Sequence, residues 1–513
     1  MVKANRTQNT KRNIIAGLVT RILELVIPFI IRTIIIMKLG AEYTGLNSLF
    51  SSILQVLSVA ELGFSSAITF ALYAPVANDD FDAIRELLSL YRKIYRIVGS
   101  IILIIGLLVC PFLKCLIHGG YPSDINIYIL YLIYLSNTVI SYYAFGYKNV
   151  ILSVNQRNDV ISNIASGISL LRGAIQITVL MLTNSFYLYI IFLPIFTLVS
   201  NILISVMANK MFPEYYCVKK NTIYKLADIS EQIKGVAIGR LSLVSRNAFD
   251  SIILSAVLGL TVSAIYSNYY YVFSTVSMML VVILTGMSAS VGNTLVLDGP
   301  DKVYKDHEKF DFYYEFLVAI ATTSLFCLYQ SFMRIWVGEN LMFSNSTMIL
   351  FCIYFYVNQL SQVRSVYSEA AGIWWKFKWI TIGEMACNLL LNFVLGINFG
   401  VNGILFATII TAFVSSFILL SKITFETIFL KSPISYYLSN LKYAIITVLG
   451  SMLVGIIVKR IEVIGWGSLI VKGIVTVVAA CGFYLTVYIL APRTRGYVLS
   501  GISQIISIRT KKQ

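Results

Sequence analysis

Charged residues are scarce in this 513-residue chain, and several lie inside apolar runs where a charge is costly to keep. Arg21, Glu24 and Arg32 fall within one such run, and Arg240, Arg246, Asn247 and Asp250 within another. On a helix turning about 100° per residue, Arg21 and Arg32 lie about 20° apart and Glu24 about 60° from Arg21. The three therefore share a face with Pro28. Arg246 and Asp250 have i,i+4 spacing, one turn apart. A charge at a bilayer centre costs at least about 2.5–3.5 kcal/mol, so such residues line a cavity or pair with one another. Guanidinium in excess of carboxylate suits a phosphate or diphosphate, which arginine binds through two parallel hydrogen bonds. Arg21, Arg32, Arg240, Arg246 and Arg364 are accordingly candidate substrate-binding residues. Glu24, Asp250 and Glu61 are candidates for ion coupling, because burial favours the protonated form of a carboxyl group. Each arginine can also serve as a staple, paired with a carboxylate one turn away, and Arg32 and Arg246 fit either role.

These residues need helices to hold them. The composition is 58% hydrophobic and 12% charged, about half the charged content of a soluble domain. Apolar blocks of about 20 residues repeat along the chain, the length that crosses a hydrocarbon layer as helix. Runs such as 100–117 and 443–458 do not alternate as barrel strands would, so the expected class is an all-α integral membrane protein. Fourteen spans are expected: 14–37, 45–74, 95–117, 126–152, 160–183, 186–208, 235–258, 261–293, 312–334, 345–370, 377–398, 401–421, 442–461 and 468–491.

Basic residues crowd alternate loops, which sets both termini on the cytoplasmic side and requires an even number of spans. That pattern accounts for the formal charge of +16 without a nucleic-acid partner, and it favours contact with anionic membrane lipids. Seven cysteines show no C-x-x-C or metal-ligand spacing, and two histidines are too few for a zinc centre. The expected set is no metal, no cofactor and no catalytic residue, with a proton or sodium as possible coupling ion.

The first and seventh spans superpose at an offset of 219, which sets Arg21 on Arg240 and Gly40 on Gly259. The polar stretch 78–96 answers 297–315 in the same way. The implied organisation is a six-helix half over 1–220, a pseudo-symmetric second half over 221–430, and two extra helices with a basic tail over 431–513. Parallel repeats of this kind place a binding site between halves near the midplane.

With this organisation, the stretches 39–80 and 388–411 and the basic residues in the first and seventh spans, the chain resembles the polysaccharide repeat-unit (Wzx-type) flippases. These belong to the superfamily that also holds lipid II flippases and multidrug extruders. The resemblance implies a non-enzymatic carrier in the bacterial cytoplasmic membrane. It would move undecaprenyl-diphosphate-linked oligosaccharide to the outer leaflet by ion-coupled alternating access, alongside glycosyltransferases and a polysaccharide polymerase. Arg21 and Arg240 match the kind of residue such proteins use in a cationic cavity. Lipid II transport and drug export are alternatives within the superfamily. A membrane glycan polymerase or ligase is the alternative from another class, although the outer loops here are short for one.

Overall fold

The structure is a computed structural model that describes residues 6–61, 64–218, 244, 246, 248–492, 494–500 and 503. Among these residues the regular elements are helices, with no strand. The chain packs as two compact units, residues 1–267 and 268–513.

The first unit contains α1 (Arg6–Lys38), α2 (Ala41–Leu57), α3 (Phe64–Ala77), α4 (Phe81–Val109), α5 (Ile127–Tyr143), α6 (Asn149–Val154), α7 (Asn158–Thr183) and α8 (Phe186–Met211). It continues through α9 (Ala248–Leu258) into the start of α10 (Leu260–Leu297), the helix that carries the chain into the second unit. The second unit then holds α11 (Pro300–Val337), α12 (Asn345–Gln359), α13 (Gln362–Ala370), α14 (Lys378–Ala412), α15 (Leu420–Thr424), α16 (Ile434–Val458) and α17 (Trp466–Leu490).

Helix ends follow local chemistry. Asp80 caps α4 by accepting from the Ala83 amide at 3.0 Å, and Asn126 caps α5 through the Tyr128 and Ile129 amides. Ser185 and Ser344 do the same for α8 and α12, each satisfying an amide that the first helical turn leaves without a carbonyl. Gly40 and Gly259 both take positive φ, 113° and 90°, and each directly precedes a new helix, α2 and α10. That backbone region is open to glycine at little cost.

Nine helices among the described residues are long and apolar enough to cross a membrane, or ten if the bent pair 127–143 and 146–154 is one span. The chain is thus a multi-pass membrane protein, but length and apolarity alone do not return fourteen spans. The shortfall has identifiable causes. Expected span 45–74 is broken between α2 and α3, and span 345–370 between α12 and α13, leaving pieces too short to count. Spans 377–398 and 401–421 form one helical run, bent where Gly400 takes φ 59°. Eleven of the 24 residues of 235–258, including all of 235–243, lie outside the described residues. The polar stretches 78–96 and 297–315 are mainly helical, because α4 and α11 begin at Phe81 and Pro300 and run on into apolar sequence.

Segment 246–267 packs with the first unit. Ser48 and Ser251 hydroxyls meet at 2.8 Å, and the His118 amide donates to the Ser255 carbonyl at 2.9 Å. Gly45 comes so close to Leu260 that a Cβ there would lie 2.2 Å from its carbonyl oxygen.

Candidate functional site

The first unit holds a polar cavity of about 220 Å³ between α1, α7 and α8. Thr20 and Glu24 of α1, Ser169 and Arg172 of α7, and Thr197 and Asn201 of α8 line it. Helices α1 and α7 are pinned together beside this cavity. At one end the buried Asp159 carboxylate receives Arg12 at 2.6 Å and Arg157 at 2.9 and 3.2 Å, while its amide donates to Asn13 Oδ1 at 2.7 Å. Further along, the Thr20 hydroxyl donates to the Ser162 carbonyl at 3.1 Å and lies 2.8 Å from the Ser166 hydroxyl. One turn past the cavity, Gly173 lets Ile27 approach; a Cβ there would sit 2.6 Å from Ile27 Cγ2. Charge, hydroxyl and glycine contacts therefore fix the register in which Glu24 and Arg172 face the same space.

Within that frame Arg21 Nη1 donates to Glu24 Oε2 at 2.9 Å. Both side chains are exposed, at 60% and 47%, so the pair sits at an open rim and contributes little stability. Arg172 is half-buried and makes neither a hydrogen bond nor an ion pair among the described residues. Among the described residues the site thus has two guanidiniums to one carboxylate, with the carboxylate already held by Arg21. A guanidinium left without an anion in a low-dielectric wall is stabilised by whichever anion enters the cavity.

The other residues proposed from sequence are placed separately. Arg32 is half-buried on α1 and donates to the Ser267 hydroxyl at 2.8 Å. Arg246 and Asp250 are buried, at 7% and 1% exposure. Asp250 accepts from the Tyr266 hydroxyl at 3.0 Å, and both residues are engaged by other groups of the protein. Glu61 is held by tyrosines: Tyr95 donates to it at 2.5 Å, Tyr142 also bonds it, and Tyr91 donates to Tyr95 at 3.1 Å. Arg364 lies in the core of the second unit, where Nη2 donates to the Ser416 carbonyl at 3.1 Å and the guanidinium stands 5.8 Å from the Phe377 ring centre. Arg240 lies outside the described residues.

Arg172 is the member of the site that the sequence reading left aside. It was visible as a solitary charge inside an apolar run, which is the signal of a functional intramembrane residue. Its nearness to Glu24, 148 positions earlier, is a product of helix packing and has no signature in sequence spacing.

No family model matches the chain, and no curated protein matches it. Solved structures do. An inward-facing multidrug resistance MATE family transporter of the MOP superfamily is similar at 14% identity and TM-score 0.58, over 79% of this chain and 96% of that one. The lipid II flippase MurJ in an inward closed conformation is similar at 15% identity and TM-score 0.58, over 93% of this chain and 98% of that one. A mutant of the Vibrio cholerae MATE transporter VcmN is similar at 13% identity and TM-score 0.57, over 83% and 99%. The fold is that of the MOP-superfamily transporters.

Proposed function

We propose that the protein is a flippase that carries a diphosphate-linked oligosaccharide lipid, of the undecaprenyl-diphosphate class, from the cytoplasmic to the outer leaflet of a bacterial cytoplasmic membrane. The observation that carries this reading is Arg172, a guanidinium with no hydrogen bond or ion pair among the described residues, on a polar cavity where Glu24 is held by Arg21. Diphosphate oxygens fit the vacant donors, cavity hydroxyls suit the first sugars, and the polyprenyl tail remains in lipid. Arg21 and Arg32 extend the basic face along α1, and Arg240 would add to it at the equivalent repeat position. Glu24 is the carboxyl group best placed to couple an ion, because releasing Arg21 to the substrate frees it to take up a proton or sodium. Membrane lipids are constant partners in this reading, with glycosyltransferases and a polymerase acting before and after transport.

Transport of lipid II is the second reading. It is favoured by the match of MurJ to 93% of this chain, against 79% and 83% for the two MATE transporters. It uses the same diphosphate chemistry and changes only the sugar. Export of cationic drugs would call for carboxylates in excess, which is the reverse of this cavity.

Replacing Arg21, Arg172 or Arg240 with Ala is expected to abolish surface glycan while the protein still inserts in the membrane. Lysine at the same positions restores it only in part, because an ammonium is a point charge without the planar fork. Full surface glycan in Arg172→Ala cells, measured by lectin or antibody labelling, would remove the basis for the assignment.

A further inference from the structure

The second unit buries a group of ionisable residues that the cavity of the first unit does not use. His307, Asp311 and Glu315 follow one another at i,i+4 spacing on α11, at 1%, 5% and 1% exposure. They lie on the face whose next residues, Phe312 and Ala319, pack against α16 and α17. Asn440 of α16 donates its amide to Asp311 Oδ2 at 3.4 Å and to the Tyr436 carbonyl at 3.0 Å. Its own Oδ1 is buried without a partner. Both Glu315 oxygens are likewise unpartnered by hydrogen-bond geometry, although the Tyr356 hydroxyl, itself unpartnered, is close enough to act on them. His307 Nε2 has no partner either, amid the rings of Tyr367, Phe425, Phe429 and Tyr436.

Among the described residues no cation offsets the two carboxyls. The charges that act on them are acidic, Glu308 on Asp311 and Asp311 on Glu315. From α13, Arg364 acts on His307 and Tyr436, not on the pair. Helices α12, α16 and α17 supply the phenols Tyr356, Tyr436 and Tyr488. Two carboxylates one turn apart, about 5–6 Å between Cβ atoms, cannot both stay ionised inside a protein without a counter-charge. A void of about 20 Å³, enough for one water, reaches Asp311 past His307, Glu308, Tyr436, Tyr443 and Thr494. Among the described residues no three His, Cys, Asp or Glu side chains are arranged for a metal ion.

We propose that Asp311 and Glu315 form a proton-binding site, in which the two carboxyls together retain one exchangeable proton that enters past His307. On uptake a hydronium ion formed in the small void from a bulk proton gives that proton to one carboxylate oxygen, where the O–H bond forms, and is left as neutral water; release reverses this. Asn440 reports the state of the pair, since its amide nitrogen donates to an ionised Asp311 whereas its free Oδ1 can accept from a protonated one. This site is independent of the substrate assigned to the first unit.

Infrared difference spectra of the full-length protein in lipid nanodiscs test it. The wild type should show a carboxylic-acid C=O band at neutral pH, and part of that intensity should be lost in the isosteric double variant Asp311→Asn/Glu315→Gln. Asn440→Ala should shift the band without removing it, which serves if the double variant does not fold. Exchanging sodium for a large organic cation at fixed pH should leave the band unchanged. A spectrum identical in the wild type and the double variant, or unaffected by Asn440→Ala, overturns the proposal. A band that grows when sodium is withdrawn also overturns it, and makes the pair a sodium site.

Discussion

Asp159 is the most informative single residue to remove, because it is the charged contact that holds α1 against α7 and so sets Glu24 opposite Arg172. Its carboxylate is 4% exposed, while Arg157 and Arg12 are 23% and 50% exposed. Removing one partner of a buried ion pair costs about 3–5 kcal/mol, and a solvent-exposed pair is worth about 0.2–1 kcal/mol. With one arginine mostly buried and the other half in solvent, Asp159→Ala should cost roughly 2–4 kcal/mol, between those limits. At about 2–4 °C per kcal/mol for a unit approaching this size, the thermal midpoint should fall by roughly 4–16 °C. Asp159→Asn keeps the volume and loses the charge, so it should fall by less. Asp82→Ala is the control: this residue pairs with Arg85 at 3.2 Å but is 91% exposed, and its loss should cost no more than about 0.5 kcal/mol. Intrinsic fluorescence of the protein in detergent, scanned with temperature, reads all three variants. An Asp159→Ala midpoint no lower than that of Asp82→Ala would refute the view that this contact anchors α1.

Two further predictions concern packing. Gly173→Leu should overfill the α1–α7 contact at Ile27 and destabilise by about 1–3 kcal/mol, and adding Ile27→Ala should recover part of the loss in the same thermal scan. Gly450→Ala should be destabilising for a similar reason, since a Cβ there would lie 2.5 Å from the Tyr484 hydroxyl. That hydroxyl lies 2.6 Å from Thr323 Oγ1 within a buried polar network, and Tyr484→Phe should break the network without relieving the clash, because Cζ and Cε1 of the ring would still lie 2.7 and 2.8 Å from the new Cβ.

Helix, membrane and approximate span positions were legible because hydropathy over about 20 residues is a local property. Length and apolarity alone leave the span count open, and Gly400 shows one reason: at positive φ it bends a single helical run of 57 residues, 373–429, across what hydropathy reads as two crossings. Asp311 and Glu315 straddle the start of the expected span 312–334, which took in Glu315 and left Asp311 outside; the structure begins α11 at Pro300 and buries both against neighbouring helices. Arg21 and Glu24 were legible as one helical face, and their hydrogen bond agrees with that. Glu61 carried a charge inside an apolar run, but the tyrosines that hold it come from α4 and α5, far along the chain. Arg172 belongs to the same category: its type was visible and its neighbours were not.

The proposed function rests on Arg172, unpaired among the described residues of the first unit, recognising a lipid-linked diphosphate. Its most direct test is transfer of a fluorescent polyprenyl-diphosphate oligosaccharide across vesicles containing the purified protein. The wild type should transfer it, Arg172→Ala should not, and a matching lipid that lacks the diphosphate should not be transferred. Equal transfer by Arg172→Ala, or of the lipid without its diphosphate, would contradict it.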